Sequence, residues 1–315
     1  MKRLFYIFTI LLLFLLSGCA PETQKAPPPE TGKLPVVVSF HAMGELARAI
    51  GGDKVDIHMI IPEGEEPHDF QPKSSDLTAL SQARIFIVNG CGLETWADKA
   101  VEAAGNDQLT VVTASDGADI HYVEMKQILP GRKPEKQADP HVWLSLKNAK
   151  TEARNIRDAF ASADPDHADY YTQRYREFVQ KTDKLYARYQ LKFDTAPSRT
   201  FVTGHAAFAY LARDFGLRQL SLTNVFASGE PSARHMTELA DACKAAHIGT
   251  IFVENMESPK IAETLARETG TNLESIDTLE EGDEDETYLA VMEDNLEKIY
   301  ASLQESHLKR KGVTT

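Results

Sequence analysis

Residues 166–192 read DHADYYTQRYREFVQKTDKLYARYQLK, and their apolar positions decide the architecture. Tyr171, Tyr175, Phe178, Thr182, Leu185 and Tyr189 recur at spacings of 4, 3, 4, 3 and 4, one apolar stripe on an otherwise charged helix. A helix from Asp166 to Lys192 would rise about 40 Å at 1.5 Å per residue. That is long enough to run the length of a two-domain body, although the stripe also fits a long helix packed on one core.

On both sides of this helix, apolar strand-like runs alternate with amphipathic helices. Before it come the strands Pro35 to Phe40, Val55 to Ile61, Arg84 to Asn89 and Leu109 to Thr113, with helices at Met43 to Ile50, Ser74 to Ser81 and Glu94 to Ala104. After it come Thr200 to Thr203, Gln219 to Leu222, Thr250 to Val253 and Leu273 to Ile276. These alternate with helices at His205 to Phe215, Ser232 to Ala246, Ser258 to Thr269 and Thr287 to Gln304. The alternation predicts an α/β fold: two βα lobes with mainly parallel sheets, one on either side of the long helix. The expected boundaries are 34–160 for the first lobe, 161–195 for the linking helix and 196–315 for the second lobe. Gly117 to Ala138 reads as loop.

The N-terminus reads as a targeting segment. Lys2 and Arg3 precede a run from Leu4 to Leu16 that is apolar apart from Tyr6 and Thr9, too short for the roughly 20 residues a membrane span needs. Leu16-Ser-Gly-Cys19 then resembles the end of a bacterial lipoprotein signal. That likeness implies a signal peptide over 1–18, a lipid on Cys19 and, over 19–33, a proline-rich tether. A secretory signal with an incidental cysteine is the alternative. Cys91 and Cys243 fit either a disulfide, permitted in an exported protein, or two buried thiols.

Composition excludes several classes. With 315 residues, 42% hydrophobic and 26% charged, neither wholesale disorder nor a polytopic membrane protein fits. A formal charge of −13 has the wrong sign for nucleic acid and tolerates cations. The GxSxG, GxxxxGK[ST], HExxH and CxxC signatures do not occur, and Gly90-Cys-Gly-Leu-Glu-Thr95 fails GxGxxG.

Histidines in special settings remain. His68 follows a buried strand and is flanked by Pro67 and Pro72, which restrict the backbone. Pro140 precedes His141, with Trp143 close enough to wall a site. His205 and Asp277 each follow a predicted strand. All four therefore sit at the carboxyl ends of strands, where open α/β sheets bind ligands, two from each half. Singly, such a residue is more often a surface or hydrogen-bonded core residue than a ligand. Together, converging between lobes, they suit a tetrahedral Zn²⁺.

The motifs Glu66-Pro-His-Asp-Phe-Gln-Pro72, Asp139-Pro-His-Val-Trp-Leu-Ser145, Gly204-His-Ala-Ala-Phe-Ala-Tyr210, Gly229-Glu-Pro-Ser232 and Ile251-Phe-Val-Glu254 with Ser258-Pro-Lys260 resemble those of metal-binding solute-binding proteins of bacterial ABC importers. The likeness covers roughly Leu34 to Leu303. It implies two α/β lobes joined by a single long helix, with a metal held in the cleft between lobes and delivered to a membrane permease driven by a separate ATPase. His68, His141 and His205 match the family's histidine positions, and His at the third implies the zinc branch, since manganese members usually carry Glu there. Asp277 best matches the family's carboxylate, with Glu280 or a water as alternatives. The His-rich loop of many zinc members is missing: Ile120 to Ala138 contains only His121, an auxiliary-ligand candidate. His41 reads as a pocket-wall candidate, with a solvent-exposed or hydrogen-bonded residue as the alternative.

The expected function is therefore zinc capture by a monomeric, lipid-anchored protein in the periplasm or at the outer cell surface, with an ABC permease and its ATPase as partners and without enzymatic activity. A manganese-binding member of the same family, a metal-dependent adhesin and a metallohydrolase are the rivals. The acidic runs Glu63 to Glu66 and Glu280 to Glu286 read as solvated loops, with cation attraction as the sharper reading. Metal-facing imidazoles must be neutral, so binding is expected to weaken below about pH 6.5.

Overall fold

The computed structural model describes residues 32–124, 136–254, 259–282 and 286–310. The segment expected to be a signal peptide (1–18), Cys19, the expected tether up to residue 31 and Ser258 lie outside them. The first lobe is built on β1 (Leu34–Val38), β2 (Val55–Met59), β3 (Ile85–Val88) and β4 (Thr110–Thr113), ordered β2-β1-β3-β4 with every pairing parallel. The central strands are buried on both faces, which is why they read as unbroken apolar runs rather than alternating ones. Helices α1 (His41–Gly51), α2 (Ser74–Gln82) and α3 (Ala97–Ala104) make the crossovers.

The second lobe repeats the plan. Its strands β7 (Thr200–Thr203), β8 (Arg218–Ser221), β9 (Thr250–Glu254) and β10 (Asn272–Ile276) are ordered β10-β9-β7-β8, again all parallel. Helices α6 (Ala209–Phe215), α7 (Ala233–Ala246) and α8 (Lys260–Thr269) connect them. The chain reverses direction across each sheet between β1 and β3 and between β7 and β9, and ligands of open α/β sheets sit at such switch points.

The long helix α5 (Ala168–Asp194) has 27 residues and begins after a turn at Pro165–His167 rather than at Asp166. Tyr171, Phe178, Thr182, Leu185 and Tyr189 are buried as their spacing requires, and Phe193 continues the stripe. Tyr175 is only half-buried and lies under the Arg157 guanidinium, 4.9 Å from its ring centre. The stripe packs against α1, against α4 (Leu146–Ala163) and against the C-terminal helix α9 (Tyr288–Arg310).

Two elements depart from the sequence reading. Helix α4 leaves a faint sequence pattern because its buried face, Leu146, Ala149, Ala153, Ile156 and Phe160, is diluted by alanines, although the 3-4-3-4 spacing is present. Ser145 caps it, its Oγ accepting from Asn148 N–H at 3.0 Å and donating to Asp214 Oδ2 at 2.7 Å. Within the expected loop, β5 (Tyr122–Glu124) pairs antiparallel with β6 (Lys136–Ala138). Three residues per strand, largely exposed, are too few to register as a period of two.

One apolar core joins the first sheet, α5 and the inner residues of the second lobe, among them Phe201, Phe208, Phe252 and Tyr288. A smaller cluster of Val202, Leu239, Ile251 and Leu265 fills the second lobe's other face. Hydrogen bonds extend this junction to the site. Trp143 Nε1–H donates to Thr278 O at 2.7 Å, Tyr288 O–H to Trp143 O at 2.7 Å, and Ala42 N–H to Leu279 O at 3.0 Å. The loop after β10 is thereby fixed to the first lobe. Cys91 and Cys243 are both free thiols.

Candidate metal centre

Three loops deliver histidines to the carboxyl ends of the sheets. His68 lies in the loop after β2, its N–H held by Glu66 Oε1 at 3.2 Å and its ring standing edge-on to Phe226. His141 precedes a short turn at Val142–Leu144 and is fully buried. His205 was expected to open a helix but sits in the turn between β7 and α6, with Thr203 Oγ1–H and Gln219 Nε2–H donating to its carbonyl at 2.6 Å and 3.0 Å.

The fourth side chain is Glu280. His68, His141, His205 and Glu280 each offer a ligand atom, all within 4.8 Å of one another. Glu280 Oε1 is 3.3 Å from both His68 Nε2 and His141 Nε2, and Oε2 is 3.9 Å from His205 Nε2. His141 Nε2 and His205 Nε2 face each other at 3.3 Å. Glu280 is only 5% exposed, which corrects the solvated-loop reading for this residue; Glu286 is exposed, and 283–285 lie outside the described residues.

Asp277 does not join this group among the described residues, and the reason is local. Its Oδ1 accepts the Leu279 N–H at 2.6 Å, closing a turn in which Leu279 adopts the left-handed conformation at φ 59°. Asn295 braces the same turn, its Oδ1 accepting the Asp277 N–H and its Nδ2–H donating to Asp277 O. Asp277 therefore makes the bend, and Glu280, three residues on, reaches the histidines. Sequence spacing at a strand end cannot separate two acids three residues apart when a turn of this kind stands between them.

Electrostatics make the four groups unequal. Burial alone would favour neutral His141, but the carboxylates of Asp139, at 2.9 Å from Nδ1, and Glu280 outweigh it and raise its pKa to about 9. Burial lowers His205 to about 4, keeping that ring neutral. Burial would raise Glu280, yet the His141 and His68 imidazoles, each 3.3 Å from its Oε1, and the nearby His205 hold its carboxyl well below the usual range. Asp139 also orients His141: its Oδ1 faces Nδ1 and accepts the His141 backbone N–H at 3.0 Å, leaving Nε2 for the centre. Tyr210 O–H in turn donates to Asp139 O at 2.7 Å. The sequence signal for Asp139 was present in the DPH motif without its role being read.

The two other candidates stand apart. His121 packs edge-on against Tyr210 and its N–H donates to the tyrosine hydroxyl at 3.0 Å. His41 is buried beside Gly282 in a cavity that Glu280 also lines. Neither belongs to the four-residue cluster. Three imidazole nitrogens and one carboxylate supply four donors of the types and number that Zn²⁺ takes in a tetrahedral shell.

Two parallel-sheet lobes joined through one long helix, with a histidine-carboxylate centre between them, define a metal-binding solute-binding protein. The family model described as the periplasmic zinc-uptake complex component A, ZnuA, matches residues 36–302, and the chain belongs to that family. It is 33% identical over 308 residues to the high-affinity zinc uptake system protein ZnuA of Bacillus subtilis, covering 94% of this chain and 97% of that one. Among solved structures, the AdcAII protein of Streptococcus pneumoniae matches with a TM-score of 0.77 and 33% identity, over 86% of this chain and 98% of that one. The laminin-binding protein Lmb of Streptococcus agalactiae, described as bifunctional with adhesin and metal-transporting activity, matches with a TM-score of 0.76 and 33% identity over 85% and 98%.

Proposed function

We propose that this protein captures Zn²⁺ outside the cytoplasmic membrane and delivers it to an ABC permease powered by a separate ATPase. His68, His141, His205 and Glu280 hold the ion, and Cys19 carries the lipid that keeps the monomeric receptor at the membrane. The observation that carries this reading is the buried cluster itself, three imidazoles and one carboxylate within 4.8 Å.

Donor chemistry favours zinc over manganese. Nitrogen-rich sites bind Zn²⁺ ahead of Mn²⁺ in the Irving–Williams order, and Mn²⁺ suits oxygen-rich shells. Four protein donors also fill a tetrahedral shell, as in zinc sites that hold the ion, whereas catalytic zinc keeps a position for water. Capture thus fits better than hydrolysis. Metal transport is also the property that the ZnuA and Lmb likenesses share.

Metal analysis with competition titration tests the reading. The wild-type chain is expected to hold one zinc, and His205→Glu, which replaces a nitrogen donor with oxygen, to shift preference toward manganese. A wild-type protein without stoichiometric metal would contradict the proposal.

A further inference from the structure

The centre contains a second buried carboxyl group that does not face the ion position. Glu254 ends β9, beside the strand that leads to His205, and is 4% exposed. Its Oε1 accepts the His205 backbone N–H at 3.2 Å and lies 3.5 Å from His205 Nδ1, on the side of the ring away from the cluster. The other ring nitrogen, Nε2, points at His141 Nε2 and Glu280. One oxygen therefore holds the main chain of His205 by a hydrogen bond and stands beside the outer nitrogen of the same residue, 3.5 Å away.

We propose that Glu254 is the positioning residue for His205: its Oε1 selects the Nδ1–H tautomer and fixes the ring so that the Nε2 lone pair meets the metal. A neutral imidazole carries its one proton on either nitrogen, and only the Nδ1–H form leaves Nε2 able to coordinate. A buried ring without a fixed acceptor at Nδ1 loses that choice of tautomer together with its orientation. Asp139 and His141 offer a parallel, but with a shorter contact, 2.9 Å to Nδ1 against 3.5 Å here, and a different origin. Asp139 reaches its histidine from two residues upstream, whereas Glu254 reaches across the switch point of the second sheet from the neighbouring strand. Holding that strand end in register is thereby part of assembling the site.

This inference rests on the zinc-capture reading, and the two fail separately, because wild-type zinc stoichiometry tests the reading and the Glu254 variants test the inference. Zinc competition titrations on the full exported chain would compare wild type, Glu254→Gln and Glu254→Ala. Partners behind a metal-ligating histidine typically contribute 10- to 100-fold in affinity. Glu254→Ala is expected to lose about that much, while Glu254→Gln, whose amide oxygen can accept the same two N–H groups, stays within about threefold of wild type. Equal losses in both variants, or an alanine variant that binds like wild type, would overturn the proposal. A readout needing no variant is the histidine ¹⁵N spectrum of metal-free wild type at neutral pH. His205 protonated at Nδ1 is the expected signature, and protonation at Nε2 would overturn the assignment whether or not Glu254→Ala folds.

Discussion

Glu280→Gln is expected to weaken zinc binding by about 100- to 3,000-fold, while Asp277→Asn leaves affinity within about threefold. The contrast follows from where the two acids point. Glu280 is buried with Oε1 3.3 Å from two imidazole nitrogens, and its charge balances the cationic centre. Removing one partner from a buried charged group costs about 3–5 kcal/mol, or roughly two to three and a half decades of affinity. Asp277 spends its carboxylate on the Leu279 N–H, an acceptor role that an asparagine oxygen can fill. Its substitution should therefore appear in the unfolding free energy, at about 1 kcal/mol, and not in zinc affinity. Titration against a zinc chelator, with urea unfolding in parallel, separates the two, and a zinc site lost with Asp277→Asn would reverse the assignment.

The second large effect is pH dependence, set chiefly by His141. In the metal-free protein its pKa lies at about 9, so the ring carries a proton at neutral pH that zinc must displace. The sign follows from linkage. A histidine raised above its unfolded value of about 6.5 contributes stability that is fully present below that pH and lost as pH rises through the folded value near 9. Zinc competes with that proton, so its apparent affinity is expected to fall about tenfold per pH unit below 9, roughly 1,000-fold between pH 9 and 6. His205, already neutral and lowered to about 4, adds no competing proton across that range. Ordinary imidazole values place the onset near pH 6.5; the Asp139 and Glu280 carboxylates move it upward. Competition titrations from pH 6 to 9, with calorimetry in two buffers to count released protons, test this, and an affinity flat over that interval would contradict it.

Much of the architecture was legible because it is written in long-range periodicity. The tyrosine-rich stripe of α5 and the apolar runs of β1, β3 and β9 each bury one residue class at one spacing, which sequence carries directly. Helix α4 was harder because small alanines suffice where it packs closely on α5, and small residues make a faint pattern. In the site, the three histidines stood out because prolines or strand ends frame them. The carboxylate did not. Whether Asp277 or Glu280 reaches the centre depends on the left-handed turn at Leu279, a backbone choice set by hydrogen bonds to Asp277 and to Ala42 of the other lobe. The supporting acids were equally hidden: Asp139 is two residues from its histidine, but Glu254 is 49 residues away and meets His205 only once β7 and β9 are paired.

The most direct test of the zinc-capture reading is anomalous diffraction at the zinc edge from crystals of the zinc-loaded chain. One strong peak per molecule is expected, about 2.0–2.2 Å from Nε2 of His68, His141 and His205 and from a carboxylate oxygen of Glu280. A peak held by Asp277 in place of Glu280, or located away from these three histidines, would contradict it.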